Sequence, residues 1–252
     1  MLDENSIRRL VDLVHRAAEL SNMESEQFLW ERLQRIATAP TDNFIELSKL
    51  AGLNPKRDFA GANLSNANLQ GIDFSCADLK LTNMVAADLQ QSDLTRSVLV
   101  DADLTRANLN QAGLIGANLM GALLVGSTLR QARMTRVKLT NGHLSNADLR
   151  DVDLLEADLR YANFTGAKLC RALMNEVKLN YASLRRADLT QANLRGASLY
   201  AVDLSGADLS GVNLEDANLS GVTVTDTCFK KNIGLSKSDR RSLIKRGAIF
   251  LD

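Results

Sequence analysis

The sequence predicts a solenoid stacked from five-residue units, with a helical segment in front of it and a short helical cap behind. Three observations carry this. From Phe59 every fifth residue is large and apolar, as in Leu64, Leu69, Phe74, Leu79, Met84 and Leu89, and the register runs without a slip to Val224 and Phe229. The residue two before a centre is nearly always small, as in Ala62, Ala67, Ala77, Ala102, Ala107, Ala112 and Ala117. A period of five fits neither a helix, which repeats near 3.6, nor a strand, which repeats at 2. Only a chain that turns a corner in every unit keeps all these centres on one axis, where a large and a small side chain per unit fill a narrow interior.

Units such as Ala-Asp-Leu-Thr-Arg at 102–106 and Ala-Asn-Leu-Asn-Gln at 107–111 resemble the A(D/N)LXX repeat of the pentapeptide repeat proteins. The resemblance covers residues 54–231 and implies a mainly β fold, a right-handed quadrilateral β-helix with four units in each coil. At roughly 4.8 Å between neighbouring backbones, about nine coils make a rod about 40 Å long. The composition agrees: aromatics are 4% and prolines 2 in number, so the core is built on leucine and little interrupts the winding.

An open solenoid end exposes unpaired backbone and apolar side chains, so caps are expected at both ends. Residues 1–53 form the N-terminal helical domain. One apolar face holds Ile7, Leu10, Val11, Val14, Ala17 and Ala18, and a second stripe holds Leu29, Leu33, Ile36 and Ala37. Ser21 with Glu24 is a capping box for that second helix, and Pro40 ends it. A third helix carries Phe44, Leu47, Leu50 and Ala51, closed by Gly52 in a left-handed conformation. The segment serves as a cap or as a binding or dimerisation module; Trp30 flanks its second stripe and is expected to pack on the first coil. In the C-terminal cap, residues 232–252, Ser236 starts a helix with Leu243 and Ile244, Gly247 ends it, and Ile249 with Phe250 folds back on the last coil.

Chemistry is hard to place on this sequence. His15 and His143 have no Cys or His nearby at metal-ligand spacing, so no metal site is expected. The Asp and Asn residues before the centres recur wherever the repeat recurs, whereas a catalytic site requires a departure from the repeat and a cleft. No catalytic residue and no cofactor are expected, and the chain reads as a non-enzyme. Cys76 and Cys170 lie nearly five coils apart, about 20 Å, beyond the reach of a disulfide. Neither a signal peptide nor a membrane span is recognised, and cytoplasm is the expected compartment.

Charge separates the functions known in this family. Some pentapeptide repeat proteins mimic duplex DNA and occupy type II topoisomerases, which requires a strongly negative rod. Here Lys+Arg and Asp+Glu number 30 each, net +0, and the repeat itself is balanced. DNA-mimic inhibition of a topoisomerase or another nucleic-acid enzyme is therefore the alternative reading, behind a scaffold that presents flat faces to protein partners. No acidic residue lies between Asp103 and Asp148, while Arg106, Arg130, Arg133, Arg136 and Lys138 do, forming a basic belt. Aromatic partners for stacking bases are missing there, so nucleic acid is not the expected ligand.

With four units per coil, residues 20 apart share a column. Val98, Gly113 and Leu123 replace the usual Asp or Asn before the centre, and Ile115, Met120 and Val125 stand just after it, where polar residues prevail. Val100 and Met120 share one column; Val85 and Val125 share the adjoining one. Val85, Val98, Val100, Ile115, Met120, Leu123 and Val125 are thus the candidate interface, for another protein or for a second copy in a homodimer.

Overall fold

The computed structural model describes Val11, Asp12, Val14, Arg35 and residues 44–251. Val11, Asp12, Val14 and Arg35 are helical and Val14 is fully buried, whereas the rest of the two predicted leading helices, with His15, Trp30 and the Ser21/Glu24 box, lies outside the described residues. Helix α1 spans Phe44–Leu50. Leu53 N–H donates to the Ser48 carbonyl and Gly52 N–H to that of Lys49, with Gly52 at φ +71°, so the predicted glycine stop is a Schellman motif.

The solenoid follows. Parallel bridges tie each residue before a centre to the one 20 positions on, from Asn63↔Asn83 through Asn213↔Ile233, so four units complete a coil and the rod has four faces. The first face carries Leu64, Met84, Leu104 and Leu124; the second Leu69, Leu89 and Leu109; the third Phe74, Leu94 and Leu114; the fourth Leu79, Leu99 and Leu119. Each face forms single bridges instead of strands, because a corner interrupts the extended chain once per unit.

That corner is a turn with φ near +60° at the second residue after the centre, closed by a bond such as Ala67 N–H to Leu64 O, 3.1 Å. Positive φ at this place alone defines a type II turn. Glycine suits it, and Gly71, Gly116 and Gly126 occupy it, yet so do Leu81, Arg106, Gln111 and Tyr181, whose backbones are held there by their neighbours.

The turn leaves one N–H per unit, that of the residue after the centre, without a backbone acceptor. The Asp or Asn before the centre supplies one: Asp73 Oδ1 accepts from Ser75 N–H at 2.9 Å, Asp93 Oδ1 from Thr95 N–H at 2.9 Å and Asp208 Oδ1 from Ser210 N–H at 2.8 Å. These residues are structural, as their recurrence implied.

Both inward positions are filled as expected, with centres such as Leu104, Leu124 and Leu149 and small residues such as Ala107 and Ala117 fully buried. Thr82, Ser97 and Ser127 bring hydroxyls inside, and each donates to the carbonyl three residues back at 2.7 to 2.8 Å. The buried Ser92 Oγ has no partner among the described residues.

At the far end β1 (Cys228–Lys230) pairs in parallel with β2 (Ile249–Leu251). Between them runs α2 (Lys237–Lys245), capped by Ser236 in a capping box with Asp239. Phe250 stacks on Phe229 with centroids 4.8 Å apart, and the Arg240 guanidinium lies over the Phe250 ring at 4.7 Å. The fold-back predicted for Ile249 and Phe250 closes the last coil.

Two interior substitutions are expected to act in opposite directions. Leu149→Asp leaves an unpaired carboxylate among leucines, costs several kcal/mol and lowers the thermal midpoint sharply. Ser92→Ala removes a buried hydroxyl that bonds nothing, and thermal unfolding followed by circular dichroism is expected to show no loss, or a gain of up to about 1 kcal/mol.

Candidate functional site

A filled solenoid offers only its outward positions, so the candidate site is a surface. Met120, Leu123 and Val125 are 42%, 38% and 37% exposed, and Val85, Val98, Val100 and Ile115 are half-buried. Val98, Val100 and Met120 lie on the fourth face and Val85, Leu123 and Val125 on the first, which adjoins it. Ile115 falls on the third face, at its corner with the fourth, and extends the patch to a third side.

Sequence reasoning missed Leu81, at 68% the most exposed large apolar side chain among the described residues. It occupies the corner between the fourth and first faces, and its N–H donates to Val100 O at 3.0 Å, which sets it against the patch. The signal was present, since no other corner position of a unit holds a large aliphatic residue.

The missing Asx residues have a second effect. With Val98, Gly113 and Leu123 before the centres, the N–H groups of Val100, Ile115 and Val125 have no acceptor among the described residues. Open donors therefore sit among exposed apolar side chains.

The basic belt does not survive as a unit. Arg130 Nε donates to Asp148 Oδ2 at 2.8 Å, and Arg136 forms two bonds to Glu156 at 2.8 and 3.2 Å. Both carboxylates come from the next coil, where the acid-free stretch has ended. Arg106, Arg133 and Lys138 have no carboxylate partner among the described residues.

Asp148 is buried, and its carboxylate is also clamped by Arg150 through Nε at 2.8 Å and a terminal nitrogen at 2.7 Å. The Arg150 hydrogen bonds and the Arg130 guanidinium hold its carboxyl well below the usual range, against the opposing effect of burial. A groove of about 400 Å³ beside it is lined by Arg130, Arg150 and Arg171 with Gln111 and Gln131. Each of the three arginines already holds Asp148 or Asp151.

Cys76, Cys170 and Cys228 are all free thiols. Burial pushes the Cys170 thiol up to about 11, and its bond to Asp188 at 2.8 Å adds to the shift, so it is not a nucleophile at neutral pH. Among the described residues no helix is long and apolar enough to cross a membrane.

A second feature escaped the sequence reading. Tyr161, Tyr181 and Tyr200, all the tyrosines of the chain, gather where the fourth face meets the first and are 53%, 50% and 44% exposed. Tyr161 and Tyr181 stack at 5.1 Å with planes 3° apart, and Tyr200 meets Tyr181 edge-on at 5.5 Å. Tyr161 and Tyr181 hold equivalent positions one coil apart, so the coil repeat makes them neighbours.

The family model for pentapeptide repeats matches the chain in 8 overlapping copies that together span residues 58–231. The chain is a pentapeptide repeat protein. Among solved structures it resembles HetL, a pentapeptide repeat protein involved in heterocyst differentiation regulation from the cyanobacterium Nostoc sp. strain PCC 7120. The two are 30% identical over 75% of this chain and 90% of HetL, with a TM-score of 0.38. Rfr23 from the cyanobacterium Cyanothece 51142 is 31% identical over 38% of this chain and 63% of its own, with a TM-score of 0.32. QnrB1, a plasmid-mediated fluoroquinolone resistance protein, is 17% identical over 76% of this chain and 96% of its own, with a TM-score of 0.42. No curated protein matches in sequence.

The Asp148 clamp generates a pH prediction. Folding lowers this carboxyl below its unfolded value, so its contribution is present above about pH 4 and is lost as pH falls further. Asp148→Asn is expected to cost about 1–3 kcal/mol at pH 7 and progressively less toward pH 2, read from thermal midpoints across that range.

Proposed function

We propose that this pentapeptide repeat protein is a non-enzymatic scaffold whose fourth and first faces, around Leu81, Val100, Met120, Leu123 and Val125, bind a protein partner. The observation that carries the reading is the gathering of exposed and half-buried apolar side chains on two adjoining faces of the rod. At Val98 and Leu123 the repeat gives up the Asp or Asn that would satisfy the turn and places an apolar side chain outward instead. Such a patch is stable when a partner covers the apolar surface and accepts from the open N–H groups. An interior filled with leucine leaves no room inside the rod for a small substrate, and the arginines of the groove beside Asp148 are taken up by Asp148 and Asp151, which supports a binding surface over a catalytic centre.

The DNA-mimic reading has little support. A chain of net charge +0 whose arginines pair with carboxylates of neighbouring coils lacks the field of a polyanion. The protein is expected to leave the supercoiling activity of DNA gyrase unchanged at micromolar concentration; a dose-dependent loss would restore that alternative.

The patch itself is tested by Met120→Arg with Leu123→Arg. Both side chains point outward, so the double variant is expected to keep the native melting curve within about 0.5 kcal/mol. It is expected to lose partners that the native chain retains in a pull-down from its own cell extract. Unchanged recovery of every partner would remove the patch from the proposal.

A further inference from the structure

The corner between the fourth and first faces is divided into two unlike halves. Along it, one coil apart, stand Leu81, Asp101, Gly121, Asn141, Tyr161, Tyr181 and Ala201. Just before Asn141 the column is low, since the Asp101 carboxylate lies over Gly121, in the space where a side chain there would stand, and Leu81 rises again at the far end. After Asn141 it is tall, because Tyr161 and Tyr181 stack outward and Tyr200 joins them.

We propose that this corner is a self-complementary interface that docks a second copy of the chain side by side and antiparallel, with the two-fold axis at Asn141. The inference rests on the reading of the adjoining patch as an interaction surface and names its occupant. Rotation about that axis sets residues equally far before and after Asn141 against each other. Gly121 meets Tyr161, and Asp101 meets Tyr181, so a carboxylate folded over a glycine receives a stacked pair of phenols, which are hydrogen-bond donors. Leu81 meets Ala201.

The flanking columns agree. In the column of Thr140, Met120 faces Arg160, Val100 faces Asn180 and Lys80 faces Tyr200, a cation against an aromatic ring. In the column of His143, Leu123 faces Asn163, Asp103 faces Ser183 and Asn83 faces Asp203. No two like charges meet in any of the three. Lys80 and Arg160 are each balanced by their own Asp78 and Asp158. A parallel pairing about an axis along the rod would instead set Asp101 against Asp101, and Tyr161 and Tyr181 each against its copy.

The contact is modest in size. Six coil spacings from Leu81 to Ala201 span roughly 30 Å, and a width of about 15–20 Å gives roughly 1,000 Å² buried in total, at the lower limit of specific interfaces. Association is therefore expected to be reversible and visible only at tens of micromolar and above.

The test combines mass and geometry. Light scattering on the full chain up to about 300 µM is expected to approach twice the 27.5 kDa of one copy. Asn141→Cys, which places a thiol beside the axis, is expected to form a disulfide dimer under mild oxidation well beyond the background of the native chain's three thiols. Tyr181→Asp, which opposes two carboxylates, is expected to weaken association at least tenfold, and Asp101→Lys in the same chain to restore it, with circular dichroism reporting an intact fold. A mass of one copy at every concentration overturns the proposal. So does a dimer that Tyr181→Asp leaves intact or that Asn141→Cys does not trap, since such a dimer joins elsewhere. If the chain is monomeric while Met120→Arg with Leu123→Arg still loses a captured partner, the interaction surface stands and only the second copy falls.

Discussion

Every five-residue unit must find acceptors for five N–H groups, and this constraint shapes all that the rod presents to its surroundings. Three of them reach a neighbouring coil, as those of Leu64, Asn66 and Asn83 do in donating to Asn83, Val85 and Ala62. A fourth closes the turn, as Ala67 does onto Leu64. The fifth has only the Asp or Asn before the centre, as when Ser65 N–H donates to Asn63 Oδ1. Orphaned donors are costly where water cannot reach them, so the repeat conserves energy by spending an outward position on an acceptor. Any unit without that acceptor is released from the repeat's chemistry at one position and left with a donor to satisfy at the next. Val98, Gly113 and Leu123 are such units, and so are Arg133, Lys138 and His143; what sets the patch apart is the apolar side chains that stand there.

The same winding decides what the charges do. Side chains 18 or 20 residues apart lie one coil apart on a shared edge, within reach of a fork-shaped guanidinium. Arg136 with Glu156, Arg171 with Asp151 and Arg185 with Asp203 are such pairs. Exposed pairs of this kind contribute about 0–1 kcal/mol each, so they do little for stability. Their consequence is electrostatic: the rod is locally neutral wherever a pair forms, and long-range attraction is not what brings a partner to it. Under the proposed function, recognition rests on shape and desolvation at short range.

How much of this was legible in the sequence follows from which neighbours a period reveals. The five-residue period exposed the inward positions directly, and Leu149, Ala117 and Phe229 are buried where it placed them. Local signals at the ends were legible too, because Gly52 and Ser236 act through bonds within a few residues. Lateral contacts depend on a 20-residue repeat that spacing alone does not give; the family resemblance supplied it for the apolar columns, but it was not carried over to the charges or the tyrosines. The stretch without acids between Asp103 and Asp148 read as a basic belt, yet Arg130 and Arg136 draw their partners from the following coil. Tyr161, Tyr181 and Tyr200 read as scattered aromatics in a chain with few of them, and only the coil makes them one cluster. Leu81 was hidden for a different reason. It sits at the positive-φ corner, a position judged by backbone conformation before exposure is considered.

A solenoid of this kind separates folding from recognition more completely than most folds. Its two inward positions cannot vary without a void or a clash, as the filled core from Phe59 to Phe229 shows. Its three outward positions can vary one by one, since each touches mainly the residues above and below it in the same column. A surface built this way is written in columns with a step of roughly 4.8 Å, and a partner must match that step over several coils to gain more than a single contact. Another rod of the same repeat has that step already. Antiparallel docking of two copies therefore requires only that the departures from the repeat be balanced about a point, as the low and tall halves of the corner are about Asn141, whereas an unrelated partner must match both the spacing and the pattern.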